Sequence, residues 1–367
     1  MNIGLGTVQF GQNYGVSNKQ GITPEEEVAR ILAFAWENGI TLLDTAKMYA
    51  ESEEVIGRNV PMDASFNIVT KTPVFHGATI YKRDADTVKD SFFSSLYKLR
   101  KPNIYGLLIH HVDDLFKNGG EYLWDSMQDL KMMGFVQKIG ISLYSPHELK
   151  SILSKYVPDI VQIPLNVLDQ RMIHNGLLQN LHRLGIEIHC RSVFLQGLLL
   201  MSPEELPEYF HSIRNLMRQY REALRNQNIS PLGAALLFAH QQTDIDYVIL
   251  GINSQRHLKE ILNEIIYFEN PDLNILGCLF SLYKDNLPAH AIIREQTELQ
   301  IPVFKTNIPY RTQVYEAHLV KQPLAKFISA SDIAVFYSQL TDEILDSIGD
   351  IIDKQKHLNE EEVMNGN

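Results

Sequence analysis

Short apolar runs alternate with helix-signed stretches along most of this chain, and that alternation is what most restricts its fold. The strand-like runs fall at residues 2–10, 40–43 with Asp44 at the end, 66–70, 104–109, 136–141, 160–163, 186–190 and 247–250. Helical patterns lie between them near residues 51–54 and at 84–99, 122–133, 177–184, 203–241 and 255–266. The first helix is the most clearly signed: Thr23 as N-cap, Pro24 in the first turn, Glu25, Glu26 and Glu27 against the positive helix end, and Gly39 closing it. Its apolar face is Val28, Ile31, Leu32, Ala35 and Trp36. Strands that alternate singly with helices pair in parallel, and eight of them in about 265 residues predict a (β/α)8 barrel rather than an open sheet.

The chain has 367 residues, more than the roughly 250 that one barrel needs, so an appendage is expected beyond residue 266. Lys and Arg number 33 against 44 Asp and Glu, and the net charge of -11 disfavours nucleic acid or an anionic membrane as a general partner. An anionic cofactor therefore needs a local basic or backbone-amide site. No apolar span reaches the ~18 residues of a membrane helix and no basic stretch followed by an apolar one opens the chain, so a cytoplasmic location is expected. Cys190 and Cys278 sit in apolar runs without metal-ligand spacing and read as buried free thiols; no metal site is expected. Gly4, Gly6, Gly11 and Gly15 do not have the G-x-G-x-x-G spacing of a dinucleotide-binding turn.

Four polar residues stand where apolar strands end or in the loops that follow: Asp44, Tyr49, Lys71 and His110. In a parallel α/β protein that edge carries the chemistry. An ammonium near a phenol stabilises phenolate and lowers its pKa, and a carboxylate holds the ammonium in place. The words D-T-A-x-x-Y, V-T-K and L-L-I-H, in this order, resemble the aldo-keto reductase family over about residues 1 to 265. The resemblance implies Tyr49 as proton donor, Lys71 and Asp44 as its tuning pair, and His110, rather than His111, as substrate positioner. It implies a small-molecule carbonyl substrate, an aldehyde or ketone, reduced by hydride from NADPH, with NADH as the alternative. The run R-S-V-F-L-Q-G-L-L is similar to members associated with sugar metabolism, which points to a sugar-type carbonyl. Lys47 is expected to face solvent, and Ala50 stands where a glycine is common.

The same resemblance carries the cofactor residues. Ser142 and Gln162 match groups that hold the nicotinamide carboxamide, with Leu143 where an asparagine is usual. Arg191 stands where a tyrosine commonly stacks on the nicotinamide ring, and a guanidinium plane can stack too. Ser192, Leu195 and Gly197 belong to a loop expected over the diphosphate. In G-I-N-S-Q-R-H-L-K-E, Gly251 replaces a lysine, Asn253, Ser254 and Arg256 are available for a 2'-phosphate, and Glu260 for adenine.

Beyond residue 266 the pattern restarts. Residues 267–367 read as a small α/β segment of strand, helix (289–299), strand (303–308) and two further helices, with an acidic tail near Glu360. The words N-P-D-L-N-I-L-G, T-N-I-P-Y-R, Y-E-A and F-Y-S-Q-L-T-D-E-I-L look like the carboxyl-terminal part of ParA-like partition ATPases. The phosphate-cradling G-x-x-x-x-G-K-[ST] is absent from the whole chain, so ATP hydrolysis is not expected. A half sheet of this kind leaves strand edges through which the chain can form a homo-oligomer. The rival to an enzyme is a low-turnover, reductase-like binding protein whose appended segment contacts partners.

Overall fold

The computed structural model describes residues 1–173, 176–269, 276–284, 286–298, 303–310, 333 and 335–349. The chain divides into two compact units, 1–270 and 271–367. In the first, β1 (Ile3–Gly6), β2 (Leu42–Asp44), β3 (Asn67–Lys71), β4 (Ile104–Ile109), β5 (Val136–Ser142), β6 (Ile160–Pro164), β7 (Glu187–Arg191) and β8 (Tyr247–Gly251) follow in chain order around a closed parallel barrel. β1 pairs with β8 to complete it, Gly6 lying opposite Gly251.

The barrel's interior is layered, and the pleat sets the layers. Leu42, Val69, Leu108, Ile160 and Ile249, from five strands, form an apolar cluster separate from the larger core between sheet and helices. Side chains two residues apart on a strand share a face. Two positions further on stand Asp44, Lys71, His110, Gln162 and Gly251, so the apolar layer is the floor of whatever those residues build. At the opposite end, Glu187 accepts from Tyr105 Oη (2.7 Å) and from His189 Nε2 (2.6 Å) and is paired with Lys138.

Element boundaries differ from the sequence reading in instructive places. Residues 2–10 do not form one strand: β1 stops at Gly6, in register with the last residue of β2, and Val8–Gly11 makes a single buried helical turn. Pro24, not Thr23, caps the helix Glu25–Glu37, a shift of one residue. Trp36 on that helix is only partly buried. The stretch 203–241 is not continuous. After two short 3-10 turns it forms Arg214–Asn226 and Pro231–His240, because Asn228 takes φ +52° and Ser230, with Pro231 behind it, caps a new helix. A helix unforeseen in the sequence, Pro146–Leu153, joins β5 to β6. Its capping box is explicit: Ser145 Oγ accepts from His147 N at 3.4 Å and Glu148 Oε2 accepts from Ser145 N at 3.3 Å.

In the second unit β9 (Ser281–Tyr283) and β10 (Ile308–Pro309) pair in parallel, and the helix Pro288–Glu298 lies between them in sequence. Phe304, Ile308, Ile333 and Leu340 form its small core, and residues 335–349 are helical. The word Y-E-A, the acidic tail, all but the last two residues of N-P-D-L-N-I-L-G and the final arginine of T-N-I-P-Y-R lie outside the described residues. Cys190 is buried, as expected, whereas Cys278 is only half-buried.

Candidate active site

At the carboxyl end of the barrel a cavity of about 790 Å³ opens. Its wall includes Asp44, Tyr49, Lys71 and His110, which arrive from β2, the loop after it, and the ends of β3 and β4. Lys71 is 2% exposed, and its Nζ donates to Asp44 Oδ1 and Oδ2, both at 2.8 Å, and to the Thr45 carbonyl at 2.9 Å. The same ammonium lies 5.1 Å from the centre of the Tyr49 ring. The imidazole of His110 meets that ring edge-on, with centroids 6.1 Å apart.

Burial decides the protonation states. It raises the Tyr49 phenol above its ordinary range, Lys71 pulling the other way. The expected lowering by Lys71 is thus present but outweighed, and the phenol keeps its proton at neutral pH. Burial works against the Lys71 ammonium too, yet Asp44 and Tyr49 leave its pKa above that of a free lysine. Burial, with the Lys71 charge behind it, lowers His110 to about 4, so its ring is neutral near pH 7. His111 is exposed and is not among the residues lining the cavity.

The loop that carries Tyr49 is held from beneath by hydroxyls. Ser52 Oγ donates to the Thr7 carbonyl (2.8 Å) and contacts Thr7 Oγ1 (2.9 Å) and Thr45 Oγ1 (3.2 Å), tying together the ends of β1 and β2 and the helix Ser52–Asn59. Ala50 takes φ +48°, the left-handed conformation for which glycine is better suited. Lys47, expected in solvent, is half-buried and donates to Ser94 Oγ at 3.2 Å.

Of the anticipated cofactor residues, Ser142, Gln162, Arg191, Ser192, Gly197, Gly251, Asn253 and Glu260 line the same cavity. Leu195, Ser254 and Arg256 are not among the lining residues. Leu195 packs with Leu198 and Leu199, Ser254 Oγ accepts from His257 N at 3.2 Å, and Arg256, 81% exposed, donates to Glu260 at 2.8 Å. Arg191 donates to the Leu143 carbonyl (3.0 Å) and to Ser192 Oγ (3.2 Å), its guanidinium 4.5 Å from the Tyr144 ring centre. Ser192, Leu195 and Gln196 all have positive φ, which concentrates backbone strain at the cavity rim.

Several wall residues had no sequence signal. Gln9, Tyr14, Tyr144 and His257 line the cavity, and only the closed barrel brings them there. Gln9 is 8% exposed and its Oε1 has no hydrogen-bond partner, while a side chain added at Gly251 would reach to 2.9 Å of Gln9 Nε2. A cavity of this size lined by polar side chains, with a buried carboxamide whose acceptor is unused, fits an extended polar ligand such as a dinucleotide.

The sequence profile of the Aldo/keto reductase family matches residues 2–273. The chain is 28% identical over 179 residues to Aldo-keto reductase AKR2E4 of Bombyx mori, a match spanning 46% of this chain and 57% of that protein. It is 26% identical over 254 residues to D-arabinose 1-dehydrogenase of Saccharomyces cerevisiae, spanning 64% and 75%. Among solved structures it is similar to aldo-keto reductase AKR11C1 from Bacillus halodurans in its holo form, with TM-score 0.57 and 19% identity over 83% of this chain and 94% of that one.

Proposed function

The chain belongs to the aldo/keto reductase family, and from that premise we propose that it reduces an aldehyde or ketone with Tyr49 as the proton donor. Members of the family use nicotinamide cofactors. The observation that carries the reading is the Lys71 ammonium, held by both oxygens of Asp44 and 5.1 Å from the Tyr49 ring, at the edge of the large cavity. A reduced nicotinamide, when bound, supplies the hydride that adds to the carbonyl carbon. Tyr49 gives its proton to the carbonyl oxygen, and Lys71 stabilises the phenolate that remains. His110, neutral near pH 7, donates to the same oxygen and orients the substrate.

Ser142 and Gln162 are the groups for the carboxamide, and Arg191, braced by Leu143 and Tyr144, is the plane for the ring. Ser192, Leu195 and Gly197 are assigned to the diphosphate. Asn253, Ser254, Arg256 and Glu260 are assigned to the adenosine end, where Gly251 leaves room. Preference for NADPH over NADH rests on Arg256, which would have to exchange Glu260 for a 2'-phosphate. A sugar-type carbonyl is supported by similarity to a protein named as an arabinose dehydrogenase and by the polar wall of Gln12, Asn18 and Gln20. For the second unit, the ParA-like reading is supported by the parallel pair with a helix between its strands. Contact with partners or a second copy through it is part of the same reading.

Titration with NADPH and with NADH, followed by quenching of intrinsic fluorescence, tests the cofactor assignment. Saturable binding of NADPH, weakened in Arg256→Ala, is the expected result. Failure of both nucleotides to bind would overturn the enzyme reading.

A further inference from the structure

Gln162 is fully buried on β6, beside the four residues Asp44, Tyr49, Lys71 and His110 rather than among them. Its Nε2 donates to Asp44 Oδ1 at 2.7 Å, and its Oε1 lies 3.5 Å from Ser142 Oγ. A carboxylate only accepts, so the nitrogen must be the atom that faces Asp44. The oxygen is thereby turned toward Ser142, and the amide cannot flip without setting two acceptors against each other.

The donor count on Lys71 gives this contact a consequence. An ammonium has three N–H groups, and three acceptors already stand within 2.9 Å of Nζ: both oxygens of Asp44 and the Thr45 carbonyl. When Tyr49 gives up its proton, the phenolate becomes a fourth. One acceptor must then yield its share of Lys71, and Asp44 Oδ1 is the one with a second donor in place.

We propose that Gln162 is a positioning residue for the proton donor: by holding Asp44 Oδ1 it frees a Lys71 N–H for the Tyr49 phenolate, and so links the carboxamide end of the cavity to the acid. This rests on the reading of Tyr49 and of the nicotinamide pocket given under Proposed function. Gln162 Oε1 would accept from a bound nicotinamide carboxamide, and a donor there would polarise the amide and strengthen its grip on Asp44. Gln162 would thereby make Tyr49 the better acid when the site is filled. The charged and titratable groups that face Tyr49 are Asp44 from β2, Lys71 from β3, His110 after β4 and Arg191 from β7. None of these groups takes the place of Gln162, because among the described residues its amide is the one side chain besides Lys71 bonded to Asp44 Oδ1.

The test needs no turnover. Ionisation of Tyr49 is read in the cofactor-free chain as the ultraviolet difference between the protein and Tyr49→Phe, in the native background, in Gln162→Met and in Ser142→Ala. Methionine keeps the length and apolar body of glutamine and removes the donor. The expected result is a midpoint moved upward by about one unit, or tenfold in proton affinity, in Gln162→Met, and a much smaller rise in Ser142→Ala, which removes only the distant hydroxyl on Gln162 Oε1. An unmoved or lowered midpoint in Gln162→Met, or an equal rise in Ser142→Ala, overturns the proposal. Should Gln162→Met fail to fold, the side-chain amide resonance of Gln162 in the unmutated chain decides: it must shift across the Tyr49 midpoint, and a flat response overturns the link. If nucleotides fail to bind, the enzyme reading falls while this titration still reports on Gln162.

Discussion

A side chain on Gly11 would stand 2.1 Å from the carbonyl oxygen of Tyr49 and 2.4 Å from the Ser52 nitrogen. The helical turn Val8–Gly11 and the loop of the proposed proton donor therefore meet through bare backbone. Gly11→Ala is expected to push that loop away and misplace the phenol by a fraction of an ångström to one ångström. A loss of about 100-fold in kcat follows from such a displacement. Nucleotide affinity should change far less, so a kcat and Kd comparison separates this from unfolding. Equal losses in both would place Gly11 in general stability instead.

Ala50, the residue after Tyr49, holds φ +48°. A Cβ in that conformation costs about 1–2 kcal/mol, of which glycine regains part after its own entropy is counted. Ala50→Gly is expected to raise stability by up to about 1 kcal/mol, read as a small increase in melting temperature. A decrease would show that the neighbours, and not the backbone, set the conformation.

Of these two features only Ala50 was visible in the sequence, and the difference is instructive. Ala50 could be flagged because a tight turn after Tyr49 asks for glycine there, whereas Gly11 lies 38 positions from Tyr49 and its role exists only once β1 and β2 are paired. Asp44, Lys71 and His110 were legible as polar groups ending apolar runs, each two positions after an apolar residue of the barrel interior, Leu42, Val69 and Leu108, and Tyr49 follows in the loop after the first of them. The same spacing runs from Ile160 to Gln162. What a strand-by-strand reading lacks is the encounter across the barrel: Gln162 on Asp44, Gln9 beside Gly251, Tyr144 beneath Arg191. The helix Pro146–Leu153 was missed although Ser145 and Glu148 carry its capping box, since its apolar face is short: Leu149 and Ile152 are buried and Leu153 is partly so. The continuous reading of 203–241 failed at a left-handed Asn228, which helical periodicity does not report.

His110 links stability to pH. Burial lowers its pKa to about 4, against about 6.5 in an unfolded chain. The unfolded state therefore binds a proton first as pH falls. The contribution is fully present above pH ~6.5 and is lost progressively as pH falls toward ~4, to a limit of about 3 kcal/mol. Melting temperatures across that window should fall more steeply for the native chain than for His110→Gln. Parallel curves would mean that His110 is not the group responsible.

Glu187 anchors the opposite end of the barrel interior. Two of its hydrogen bonds, from His189 and Tyr105, and its pairing with Lys138 overcome burial and hold its carboxyl down at about 2. Because that pKa lies below its unfolded value, the stabilisation is present above pH ~4.5 and disappears as pH falls toward ~2. Glu187→Gln leaves Lys138 without its carboxylate, and a destabilisation of about 3 kcal/mol is expected. Denaturant unfolding measures it. The apolar layer of Leu42, Val69, Leu108, Ile160 and Ile249 separates this cluster from Asp44 and Lys71, so kcat at neutral pH should stay within about twofold. A large kcat effect would show that the two ends of the barrel are coupled.

The most direct test of the central claim is carbonyl-dependent oxidation of NADPH, followed at the reduced-nicotinamide absorbance, for the chain and for Tyr49→Phe with a panel of simple aldehydes and keto-sugars. The expected result is turnover by the chain and a loss of at least about 100-fold in kcat for Tyr49→Phe with nucleotide affinity retained. Turnover that survives loss of the phenol, or its absence in a chain that binds NADPH tightly, would contradict the assignment of Tyr49 as the proton donor of a working reductase.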